Sequence, residues 1–163
     1  MNRMWIWSVF AVSLMAQTAQ APANLNQLMR GVLYPAANVV FWAQTEDPGK
    51  ANPPDGTDPS MATDPLLSTF GGWTAVENAA LALTESASLL AVPGRTCANG
   101  APVPLNDPEW PKFLQQVRDA GMEAYRAAKA KDQDKIIAAA ETLANSCANC
   151  HRKWRDRRGE RCK

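Results

Sequence analysis

The stretch that most limits what this 163-residue chain can fold into is Cys147-Ala148-Asn149-Cys150-His151. Two thiols three residues apart fall on one face of a helix, one above the other. C-x-x-C-H is the spacing at which two cysteines form thioethers to the vinyl groups of a c-type haem. The histidine beside the second cysteine then supplies the iron with an axial nitrogen. Two other chemistries use a C-x-x-C pair. Structural zinc wants four Cys or His ligands, often as two spaced pairs, and this sequence has no second pair. A thioredoxin-type redox motif wants a βαβ setting, and nothing in the chain alternates as a strand does. The expectation is one haem c per chain, attached at Cys147 and Cys150 with His151 as the proximal iron ligand.

The N-terminus carries a matching address. Arg3 gives a positive start, Met4 to Met15 is a short apolar run, and a small-residue stretch from Ala16 to Ala23 follows. That is the layout of a secretory signal, and the apolar run is short for a membrane span. Cleavage after Ala21 fits the A-x-A rule but leaves Pro22 at the cut; cleavage after Ala23 is the alternative. Residues 1–21 are therefore expected to be a signal peptide and 22–163 a single domain in the bacterial periplasm. Haem attachment takes place outside the bacterial cytoplasm, and disulfides persist there. The formal net charge of +1 gives no overall nucleic-acid signature. The charge is uneven: Arg152 to Lys163 holds seven basic and two acidic residues, against ten and fourteen in the rest.

Hydrophobic spacing predicts four helices and no strand. Leu25, Leu28, Met29, Val32, Leu33, Ala36 and Val40 mark a first helix over about residues 24–44. Pro35 should bend it, because the ring removes a backbone donor, and Gly31 thins it. Residues 46–65 read as a long loop rich in Pro, Gly, Asp and Asn. Trp73, Val76, Ala80, Leu83, Ala87 and Leu90 mark the second helix, stopped by Pro93-Gly94. Asp107-Pro108 reads as the cap and first residue of the third helix, which continues through Leu114, Val117, Gly121, Ala124 and Ala128. Its small residues admit either a close helix or a flat cofactor. Asp132 caps the fourth helix, in which Ile136, Ala140, Leu143, Cys147, Cys150 and Trp154 form the inward stripe, with Gly159 as its stop. The fold expected is all-α, an up-down-up-down four-helix bundle around the haem. In such a bundle the second and fourth helices end at one pole. That brings Cys97 and Cys162 together as a disulfide, two free thiols or an intermolecular bridge being the alternatives.

An exported four-helix chain with C-x-x-C-H in its last helix resembles the cytochrome c′ family. The family pattern C-x-x-C-H-x-x-aromatic-Arg is met by Cys147, Cys150, His151, Trp154 and Arg155, with Trp where Tyr or Phe is usual. The run from Leu28-Met29-Arg30 to Pro35 is similar as well. The resemblance implies a haem walled on its far side by the first helix. Some relatives leave that face of the iron empty and others place a Met there. On this layout Met29 is the expected distal ligand, against Met61 in a loop and Met122 beside a seam. Arg30 would meet a haem propionate, its other fate being a solvated surface position.

The function expected is a one-electron carrier. The rival is a five-coordinate haem protein that binds or senses NO or CO. An enzyme such as a peroxidase is not expected, because His151 is the only histidine and no distal acid–base group is in view. The basic residues Arg152, Lys153, Arg155, Arg157, Arg158, Arg161 and Lys163 suggest a docking face for an acidic redox partner, or simply a solvated helix end whose charge suits the helix dipole. Monomer and homodimer both remain open at this point.

Overall fold

Helix starts follow the capping side chains. The computed structural model describes residues 21–51, 58–156 and 162. The signal segment up to residue 20, Gly159 and the tail residues Arg157, Arg158, Arg161 and Lys163 lie outside these. At α1 (Leu25–Leu28), Asn24 Oδ1 accepts from the Gln27 N–H and Gln27 Oε1 from the Asn24 N–H, each at 2.9 Å, a reciprocal capping box. The helix runs on through a π turn (Met29–Leu33) into α2 (Tyr34–Trp42). The irregularity expected at Pro35 is therefore taken up one turn earlier. Pro35 brings no N–H to the carbonyl of Gly31, and the chain answers with a wider turn, in which the Tyr34 N–H donates to the Met29 carbonyl.

Two short 3₁₀ turns, Pro59–Met61 and Pro65–Leu67, punctuate the long loop, capped by Asp58 and Asp64. The second helix, α3 (Trp73–Ser86), tightens into a 3₁₀ turn (Ala87–Ala91) before Gly94, whose φ of +77° takes the chain out of the helical direction. The third helix, α4 (Trp110–Lys129), starts two residues later than Asp107-Pro108 implies. Asp107 Oδ1 accepts from the Glu109 N–H at 2.9 Å and so closes a turn before the helix, and Pro111 sits in the first helical turn. The fourth helix, α5 (Gln133–Trp154), is capped by Asp132, whose side chain accepts from the Lys135 N–H. Among the described residues there is no strand, only an isolated bridge between Thr96 and Pro102. None of these helices is long and apolar enough to cross a membrane.

The core is built from the inward stripes: Val40, Val76, Ala80, Leu83, Ala120, Ala124, Ile136, Ala140 and Leu143 are essentially sealed from solvent. The α3–α4 and α4–α5 pairs pack along their lengths, and α2 packs on α3 and α5. Gly121 shows why the third stripe is small. A Cβ there would collide with Thr84 Oγ1 and lie 3.1 Å from the Ala80 carbonyl oxygen, so its bareness serves the approach of α3. Of the two readings of these small residues, Gly121 belongs to helix–helix packing.

Among the contacts that join distant segments are these four. The Leu25 N–H donates to the Thr96 carbonyl at 2.8 Å. Gln133 Nε2 donates to the Ala43 carbonyl at 2.6 Å. Lys153 Nζ lies 3.0 Å from Asp107 Oδ2 and also pairs with Glu109. Cys97 and Cys162 are joined in a disulfide, with Cα atoms 4.8 Å apart.

Candidate functional site

One end of the bundle is hollow. A cleft of about 780 Å³ opens between the first helix, the end of α3, the start of α4 and the last turns of α5. Ligand clefts commonly measure about 300–1,000 Å³. Its lining is mostly apolar: Leu83 and Leu90 from the second helix, Trp110, Phe113, Leu114 and Val117 from α4. The last helix adds Cys147, Cys150 and His151, and the first adds Met29 and Arg30. All five residues expected at the haem thus border one cavity. Gly31 is not on its wall: it is exposed, and a Cβ there would meet nothing within 4 Å.

The local chemistry of the cysteine pair discriminates among its uses. Both thiols are free and half-buried. Burial raises the pKa of Cys147; burial, and then the neighbouring Cys147 thiol, push Cys150 up to about 11, with Arg155 opposing. A redox C-x-x-C pair depends on a depressed pKa, commonly at a helix N-terminus. This pair stands instead near the C-terminal end of a 22-residue helix, where the dipole also disfavours a thiolate. Among the described residues no group of three or more His, Cys, Asp or Glu side chains is placed to hold a metal ion. A haem iron makes no such demand, since the porphyrin supplies its equatorial donors and the protein one or two axial ones. For His151, burial and then the Arg155 guanidinium lower the pKa, with Asp156 opposing, so the imidazole is neutral near neutral pH and keeps a lone pair for a metal. Its carbonyl accepts from the Arg155 and Asp156 N–H groups at 2.8 and 2.9 Å, closing the helix around it. The donor set and the cavity fit a covalently held haem.

Three aromatic residues form one side of the cleft, Trp154 of the inward stripe with Trp110 and Phe113 at the start of α4. Trp154, 7% exposed, meets Trp110 and Phe113 edge to face, both with ring centroids 4.9 Å apart. Lys153 Nζ sits 4.7 Å from the Trp154 ring centroid. Trp110 is 3% exposed, and its buried indole N–H has no partner among the described residues. The spacing of Trp110 and Phe113, three residues apart at the start of a helix, is the signal that would have found them. Met29 is half-buried on the wall, Arg30 is exposed at the rim, Met61 is 77% exposed in its loop, and Met122 does not line the cleft. In the described part of the basic tail, Arg152 donates to Asn149, Lys153 pairs with Asp107 and Glu109, and Arg155 pairs with Asp156. Cys162 also lines the cleft, so the disulfide borders it.

No protein-family model, curated protein or solved structure matches this chain.

Proposed function

We propose that this chain is an exported c-type cytochrome, similar to the cytochrome c′ family, that holds one haem c and carries single electrons in the periplasm. The observation that carries this reading is the cavity: Cys147, Cys150 and His151 border it from one helix, Met29 and Arg30 from another. The up-down-up-down course is supported by the four links, each of which joins segments that alternation would bring to one pole. The Cys97–Cys162 bridge suits an oxidising compartment.

When bound, the haem would supply the one-electron chemistry of its iron. The chain's own part is to hold and tune it. Cys147 and Cys150 would anchor it covalently, and the neutral His151 would offer its iron a nitrogen donor. The Met29 thioether would offer a second, softer donor, which favours the reduced state. Leu83, Leu90, Phe113 and Val117 exclude water. Arg30 at the rim would meet the propionate carboxylates. A redox partner docking on the basic tail is carried by the residue count alone, because the described cations there already have partners. The direct test is extraction of the purified protein with acidified acetone, followed by denaturing electrophoresis. Haem that stays on the polypeptide supports the reading, and haem that leaves entirely in the organic phase ends it.

A further inference from the structure

Among the cavity residues of the first helix, five recur at a spacing of four, Leu25, Met29, Leu33, Ala37 and Phe41, and the residues that follow the first three line the cavity too. An unbroken α-helix cannot keep that series on one face. It turns by about 100° per residue, so from Leu25 to Phe41 it would run about 160° past four whole turns. Leu25 would then face away from Phe41. The π turn at Met29–Leu33 closes its hydrogen bond one residue further along, as the Tyr34 N–H to the Met29 carbonyl shows. One residue is thereby absorbed, and the drift falls by about 100°, to about 60°. For Met29 against Ala37 the same correction changes an offset of about 80° to one of about 20°.

The cause of the wide turn is Pro35. It stands in the first turn of α2, immediately after the π turn. It offers no N–H to the Gly31 carbonyl, and its ring crowds that carbonyl in a regular helix. Packing does not demand Gly31, since a Cβ there would touch nothing within 4 Å. We infer that Pro35 is a positioning residue: by forcing the π turn, it rotates Leu25 to Arg30 by about 100° and so aims Met29 into the cavity. This rests on the haem reading above.

Two variants separate the claims. Pro35→Ala restores the missing donor and lets the helix close as α, turning Met29 away. Pro35→Ala combined with deletion of Gly31 removes the surplus residue, so an unbroken α-helix again points Met29 inward. Holoprotein of each is prepared with ¹³C-methyl methionine, and the Met29 methyl is assigned by its loss in Met29→Leu. Haem displaces the resonance of a methyl lying over it, whether the sulfur is bound to iron or not. The expected result is a displaced methyl in the wild type, loss of most of that displacement in Pro35→Ala, and its recovery in the deletion variant. A Pro35→Ala protein whose Met29 methyl stays fully displaced overturns the inference, as does a wild type with attached haem and an undisplaced methyl. Haem staining of denaturing gels is run first: a wild-type chain without covalent haem refutes the function proposed above, and the inference with it. Attached haem with either of those methyl results refutes the inference alone.

Discussion

Removing the Cys97–Cys162 bridge should cost a large part of the stability of this protein. The bridge spans a sequence separation of 65 residues and encloses both α4 and α5. In the chain-entropy model, freeing a loop of that length gives the unfolded chain about 4 kcal/mol at 25 °C. Domains of this size hold about 5–15 kcal/mol in all. Alanine is the replacement of choice, because Cys97 is only 2% exposed and a serine hydroxyl there would need a new partner. The Cys97→Ala, Cys162→Ala double variant should therefore unfold in urea about 2 M earlier than the oxidised wild type, taking a slope of about 2 kcal/mol per M. Tryptophan fluorescence follows the transition, with Trp110 and Trp154 beside the cleft as reporters. Wild type in reductant should match the variant, because reductants cleave the disulfide and leave thioethers intact. A midpoint shift below about 0.5 M would refute the reasoning, by showing that the bridge constrains an unfolded state already compact.

The packing and the cavity set the remaining outcomes. Gly121→Ala should destabilise by about 1–3 kcal/mol in urea titration, and Thr84→Ala in the same chain should recover part of the loss, because Thr84 Oγ1 is the first atom met. His151→Ala should leave little mature holoprotein, whereas Met29→Leu should keep its haem but turn a low-spin spectrum with a weak far-red sulfur band into a high-spin, rapidly CO-binding one; a wild type already high-spin would favour gas binding instead. Cys150, raised to about 11, should be alkylated in the folded apoprotein more slowly than a free thiol at pH 8, and its rate should climb only as pH passes well above the ordinary thiol range; a rate equal to that of the unfolded chain would contradict the burial argument.

What could be read in the sequence, and what could not, divides along physical lines. Asp132 announced its helix because a cap acts through its own side chain on the next turn. Pro35 announced a disturbance but not its form, since a missing donor can be met by a bend or by a wider turn, and only the neighbours of the helix decide. Asp107 misled by two residues because an aspartate accepts from the second residue on in a turn as readily as it caps a helix. The inward stripes placed Met29 and Cys147 toward the centre, yet periodicity does not say whether an inward position meets a side chain or a void. Leu83, Leu90 and Val117 are core, as their stripes imply, but nothing in the spacing shows that they border the cleft as well.

Three consecutive residues after the second helix tie it to the start of the first helix and to Cys162. Arg95, 6% exposed, donates to the carbonyls of Leu89 and Ala23. Thr96 receives the Leu25 N–H, and Cys97 is bonded to Cys162. Mechanically, a pull applied between Ala23 and Cys162 would pass through this short run and not along the helices. The disulfide would bear its share without yielding, and the hydrogen bonds at Arg95 and Thr96 would be the first to break. Tension would peel the start of the first helix, with Met29 just behind it, while α4 and α5 stayed inside their covalent loop. Under such a load Met29 would leave the cavity before Cys147, Cys150 and His151, which border it from α5.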